Sequence, residues 1–243
     1  MTEEFLLIVL VCTLASFGGA FVQRVSGFGY GIFVMMFFPY VLMHTEATAL
    51  SGFVSLVSAS YVAFRLRKQA RWKAVWLPLL SYVITNTVTT KVIVDLDTAL
   101  LSKILGVALI LLSLYFFFFS AKIKIRDTKT NALIAGGLSG ILSGAFSMGG
   151  PPVVVYYLNS SKDNDEYIAT IQCFFIFSNI ISTFNRAING FFTPRVLWLL
   201  LPTVLITFLA NYLGKKTYGR IRPDMLKKVV YAFMAVSGVI ALF

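Results

Sequence analysis

Two short glycine-rich stretches carry the residues best able to do chemistry in an otherwise apolar chain. In the later one, Gly140–Tyr157 (GILSGAFSMGGPPVVVYY), the run Gly149-Gly150-Pro151-Pro152 must end one helix and start another. Proline lacks an N–H and clashes with the preceding turn, and glycine loosens what is left. In the earlier one, Ser26-Gly27-Phe28-Gly29-Tyr30-Gly31 interrupts the first apolar run 120 residues upstream, aligning Gly29 with Gly149 and Gly31 with Pro151. A helix that restarts at membrane depth presents free N–H groups and the positive end of its dipole, which suit an anion, and glycine lets a ligand approach the backbone. Gly and Pro also permit simple kinks and close helix packing. Two breaks at equivalent positions point instead to paired hairpins around a transport site.

Polar residues within apolar runs supply the other candidates, since burial in lipid is costly unless they face a cavity or a partner. The substrate-binding set predicted from the sequence is Gln23, Arg24, Ser26, Gly27, Gly29, Ser147, Gly149, Gly150, Gln172 and Asn179, with Gly31, Pro151 and Pro152 shaping the hairpins. Arg24 stands out, because a guanidinium beside a broken helix offers an oxyanion two parallel hydrogen bonds; the alternative is a snorkelling surface arginine. Gln172 and Asn179, seven residues apart with Ser178 and Ser182 beside them, share a helix face that is expected to line the cavity. Asn86 and Asn211 recur in both halves, either at the site or, preferably, as interhelical hydrogen-bond glue. Asn185, Lys91 and Lys216 are weaker candidates, the lysines lying where snorkelling at helix ends is the simpler role. Glu46 and Glu166 stand at helix starts, where capping outweighs a proton-coupling role.

The elements that must hold these residues are membrane spans. Of 243 residues, 58% are hydrophobic and 13% charged, with a mean hydropathy of +0.83, which predicts an all-α polytopic membrane protein. Apolar windows run roughly 5–22, 28–43, 47–64, 74–93 and 99–120, then 132–146, 151–158, 167–187, 196–214 and 225–243. The first window lacks a basic leader region and reads as mature structure. The two sets of five match at an offset of 120 early on (Glu46 with Glu166) and of 125 later (Asn86 with Asn211, Lys91 with Lys216). Cations crowd the 65–73 loop, the 121–131 linker and the segment around 215–228, which the positive-inside rule makes cytoplasmic. Three cytoplasmic loops at those positions require two inverted repeats, each a broken-helix hairpin followed by three spans: repeat 1 over 1–120, a cytoplasmic linker over 121–131, repeat 2 over 132–243, and both termini external. The second hairpin is too short to cross and is expected to re-enter; the first is long enough to do either.

The net charge of +11 is explained by topology and needs no nucleic acid. Cys12, Cys173 and His44 lack the neighbours that a disulfide or a metal needs, so no metal or cofactor is expected. One histidine and scarce intramembrane acids argue against an embedded enzyme, and no Gly-Lys-Ser/Thr phosphate loop is present.

The motifs VQRVSGFGYG and SGAFSMGGPPVVVYY resemble those of the TauE/SafE sulfite-exporter family, with Gln23, Gly27-Phe28-Gly29 and the GGPP element carrying the resemblance across essentially the whole chain. The resemblance implies a multi-span permease in a prokaryotic plasma membrane. Its partners would be the bilayer and a small sulfur anion such as sulfite, thiosulfate, sulfoacetate or sulfolactate, with proton coupling and export permitted. It leaves open which anion moves, the direction and the oligomeric state. Two readings compete with it: a permease of the same fold for a non-sulfur anion, and a non-transporting membrane scaffold.

Overall fold

The computed structural model describes residues 3–118, 125–217, 231–232 and 235–242, and all regular structure among them is helical. The order is α1 (Glu3–Ser26), α2 (Tyr30–Val34), a 3-10 turn (Phe38–Tyr40), α3 (His44–Leu66), a second 3-10 turn (Arg67–Gln69), α4 (Trp72–Val94), α5 (Thr98–Phe118), α6 (Lys129–Phe146), α7 (Gly150–Ser160), α8 (Asn164–Ile188) and α9 (Pro194–Thr217). Five of these helices, α1, α3, α4, α8 and α9, are long and apolar enough to cross a membrane. Leu80, Ile84 and Val88 of α4, with Leu201 and Leu205 of α9, face outward, as a lipid-facing surface requires. Of the last predicted span, 225–230, 233–234 and 243 lie outside the described residues, as does 121–124 of the linker.

Local chemistry sets the helix starts. Thr128 caps α6 by accepting from the Asn131 N–H at 3.2 Å, and Asp163 caps α8 by accepting from the Glu166 N–H at 2.8 Å. Glu46 and Glu166 do act at helix starts: Glu46 accepts from the Met43 N–H at 3.3 Å, and Glu166 from the Lys162 N–H at 3.4 Å.

The expected second half of the first hairpin is not a continuous span. Residues 28–43 form the five-residue α2 and a 3-10 turn at Pro39, because Gly29 and Gly31 at one end and Pro39 at the other leave too few residues for a longer helix. The second hairpin is longer than its apolar windows suggested, with 18 residues in α6 and 11 in α7.

Helix boundaries in the two halves coincide at an offset of 120 residues: α1 ends at Ser26 and α6 at Phe146, α2 begins at Tyr30 and α7 at Gly150, α3 begins at His44 and α8 at Asn164. Packing follows the same correspondence. The pair α4–α6 is matched by α9–α1, α4–α8 by α9–α3, and α1–α2 by α6–α7. At the centre, α3 and α8 lie side by side and run antiparallel. Glu46 meets Thr193 just past the end of α8, Ser55 meets Asn179, and Arg71 just past the end of α3 meets Thr170 near the start of α8.

Glycines set the closest approach. Gly136 and Gly140 of α6 press against the Pro78 and Tyr82 carbonyls of α4, where a methyl group would collide with backbone. At one end of the bundle, Arg71 donates to Asp127 of the linker at 2.6 Å and to the Ser160 carbonyl of α7, gathering the α3–α4 turn, the linker and the α7–α8 turn together.

Candidate functional site

The two chain breaks meet. Gly31 of α2 lies against the Ser147 carbonyl so closely that a β-carbon would overlap it, and Phe28 lies beside Gly150 of α7. Each first helix ends on a left-handed residue, Gly27 (φ 83°) after α1 and Ser147 (φ 58°) after α6, at equivalent positions. Glycine adopts that conformation freely; serine does so at a cost. Ser147 is the single non-glycine with positive φ among the described residues.

Where the tips meet they enclose a small cavity of about 30 Å³, lined mainly by polar groups. Gln23, Gly29, Tyr30 and Gly31 contribute from the first hairpin, and Ser139, Ser143, Ser147, Gly149 and Gly150 from the second. Ser55 of α3, Tyr82 of α4, and Ser178 and Asn179 of α8 complete its polar lining, with Ile32, Met148 and Phe175 as the apolar part, and the Asn179 amide donates to Ser55 Oγ at 3.1 Å. Of the predicted set, then, Gln23, Gly29, Gly31, Ser147, Gly149, Gly150 and Asn179 share one cavity.

The others are placed differently. Ser26 closes the first turn by donating to the Val22 and Phe28 carbonyls at 2.8 and 2.7 Å. Gln172 does not line the cavity; its amide donates to the Gly27 carbonyl at 2.7 Å and its Oε1 accepts from Gln23 at 3.4 Å, so it pins the first hairpin to α8. Arg24, expected at the tip, packs its stem against Gly214 of α9 outside the cavity lining, because it lies one position around α1 from Gln23 and so faces the neighbouring helix. Pro151 and Pro152 open α7. Asn86, Asn185 and Asn211 are interhelical glue: Asn185 donates to Asn86 Oδ1 and Thr87 Oγ1, both at 3.0 Å, and Asn211 to Ser58 Oγ at 3.1 Å. Lys91 and Lys216 are exposed at helix ends, with Lys216 Nζ 4.6 Å from the centre of the Tyr212 ring.

Helix-end donors are fewer than the sequence suggests. The five residues of α2 make little more than one turn, too short for a substantial macrodipole, and two of the first three residues of α7 are prolines without an N–H. A full positive charge sits close by instead. Arg186 of α8 is completely buried, donating to Ser182 Oγ at 2.6 Å and to the Ser143 carbonyl at 2.5 Å, while Ser143 Oγ shares a 2.6 Å hydrogen bond with Tyr82. Sequence reading passed over Arg186 because it stands two residues before the end of α8, where an arginine reads as interfacial. The adjacent intramembrane Asn185 was the available signal.

With this geometry in place, comparison with known proteins is decisive for the family. The family described as Sulfite exporter TauE/SafE matches residues 12–240. The chain belongs to the TauE/SafE sulfite exporter family. Members of this family are transporters, so the protein is a multi-pass membrane transporter and not an enzyme. Among curated proteins it is similar to the probable sulfite/organosulfonate exporter TauE of Cupriavidus necator, with 24% identity over 98% of this chain and 95% of that protein. No solved structure matches the chain.

Proposed function

We propose that this TauE/SafE member exports a small sulfur oxyanion, either inorganic (sulfite, thiosulfate) or an organosulfonate such as sulfoacetate or sulfolactate, through a site between its two hairpin tips. The observation that carries this reading is the meeting of both chain breaks at one polar cavity, with Gly31 on Ser147 and Phe28 on Gly150. Gln23, Ser147, Gly149, Gly150 and Asn179 are the residues assigned to the cargo. The relative from Cupriavidus necator bears an exporter name, which favours a sulfur cargo and outward movement here.

Two inverted repeats provide the alternating-access framework, over 1–120 and 132–243. Antiparallel α3 and α8 are the corresponding third helices of the two halves, and an axis in the membrane plane relates such a pair naturally. The end where Arg71, Asp127 and Ser160 meet is cytoplasmic in this scheme, in keeping with the cationic 65–73 loop, and both termini are external in a prokaryotic inner membrane. The cavity has room for one or two water-sized groups, less than a sulfonate occupies, so the hairpins must part to load. A proton gradient is a suitable energy source for such a cycle.

Purified protein should be stabilised selectively by sulfite, thiosulfate, sulfoacetate or sulfolactate over acetate, since a ligand at 100 times its Kd adds about 2.7 kcal/mol to the folded state. Proteoliposomes should then carry the stabilising anion. Equal stabilisation by acetate would indicate a non-sulfur permease. Folded protein that responds to no anion would indicate the scaffold role.

A further inference from the structure

We propose that Arg186 is the charge partner of the transported anion, held behind the serine wall of the second hairpin and neutralised by cargo when that hairpin opens. The inference rests on the anion-transport reading above and adds a residue to its site.

Arg186 is completely buried in the last turn of α8, and among the described residues no carboxylate lies within ion-pair distance of it. A buried guanidinium without a counter-charge is expensive, and sequences keep one in a membrane span where an ion or a partner answers it. Its hydrogen bonds leave capacity to spare. One terminal nitrogen donates to Ser182 and the other to the Ser143 carbonyl, while Nε, equally buried, has no partner. A guanidinium carries five N–H donors.

Its place in the fold ties it to the cavity. Ser143 lines that cavity and accepts from Arg186 through its carbonyl. Gly52 of α3 leaves the space that the guanidinium fills: a β-carbon there would stand 2.6 Å from Nη1 and 3.7 Å from the Ser147 hydroxyl, which also lines the cavity. The two halves differ at this point. Gln172, which holds the first hairpin at the Gly27 carbonyl, occupies the position equivalent to Gly52 at the 120-residue offset, and the equivalent of Arg186 is Leu66. One repeat therefore holds its hairpin through a neutral amide and the other through a cation, so one fixed charge serves one cargo charge. A purely structural role is also satisfied by this geometry, since the Ser143 carbonyl lies in the last turn of α6, where cations are favourable. The experiment must therefore read anion binding separately from folding.

Sulfite, acetate and phosphate titrations of the purified full chain in detergent, read by melting temperature with and without anion, separate the two. Arg186→Gln is expected to melt cooperatively without ligand but to bind sulfite at least tenfold more weakly, and Arg186→Lys is expected to keep a measurable shift. Wild-type sulfite affinity in Arg186→Gln overturns the proposal. Should Arg186→Gln not fold, Gly52→Ala moves Nη1 without removing the charge, and an unchanged sulfite affinity in that variant overturns it equally. If wild type responds to phosphate or acetate rather than sulfite, and Arg186→Gln abolishes that response, the arginine assignment stands and the sulfur cargo falls. No response of wild type to any anion removes both.

Discussion

Ser147 stands where the corresponding position of the first hairpin has Gly27, and it accepts a left-handed backbone at φ 58°. For a residue with a β-carbon that conformation costs about 1–2 kcal/mol relative to glycine, and such strain persists where the side chain is used. Ser147→Gly should therefore raise stability by up to about 1 kcal/mol while weakening anion binding several-fold, measured by melting and by titration of one preparation. A variant both more stable and equally avid would reduce Ser147 to a turn residue. Legibility at this scale was uneven. The glycine and proline punctuation named both tips, because backbone rules need no partner to be read. Sequence put Arg24 first and passed over Arg186, since which face of a helix meets a cavity depends on neighbours: α9 takes up Arg24, whereas Gly52 of α3 makes room for Arg186.

At the level of elements, α7 is tied down at the end away from the cavity. Asp127 accepts from the Tyr156 hydroxyl at 2.7 Å and from Arg71 at 2.6 Å, and Arg71 also holds the Ser160 carbonyl at the end of α7. The Tyr156 hydrogen bond first, and the Arg71 bond and charge next, hold the Asp127 carboxyl below its ordinary 3.8. A depressed carboxylate stabilises the fold above its unfolded-state value and loses that contribution as pH falls through the folded-state value. The tie is thus intact at neutral pH and weakens only below about pH 4. The group is largely solvated, so the tie contributes no more than about 1 kcal/mol to global stability. Its effect is local: Asp127→Asn should speed hydrogen exchange in the linker and the last turn of α7 at pH 7 while leaving α3 and α8 unchanged. Uniform exchange rates in wild type and variant would remove the tie from any account of hairpin motion. None of this was visible in the sequence, where Asp127 is one acid in a basic linker and Arg71 one cation among several.

Across the whole molecule, the sequence offsets of 120 and 125 residues pointed to two repeats, and the boundaries of six helices fall on the first of those offsets. Such matching boundaries are legible because helices at corresponding places need corresponding stops. What sequence could not supply was the interlocking of the tips, a contact between residues 116 apart such as Gly31 and Ser147. The proposed orientation rests on contacts and charge taken together. Arg71 joins the α3–α4 turn to the linker and to the α7–α8 turn, so these three must share one side. Glu46 joins the start of α3 to Thr193 between α8 and α9 at 2.6 Å, which puts those two together at the opposite side. Exposed Lys68 and Lys162 mark the first end, and exposed Glu3 and Asp97 should mark the second. Both native cysteines are buried, so engineered thiols can be labelled against a low background. In intact cells a membrane-impermeant maleimide should modify Glu3→Cys and Asp97→Cys but leave Lys68→Cys and Lys162→Cys unmodified until the membrane is opened. The reverse pattern would keep the inverted repeats and turn the protein over. Labelling of Lys68→Cys and Asp97→Cys from one side would remove α4 as a single crossing, and the inversion with it, because a span between two loops on the same side cannot change the direction of the second repeat.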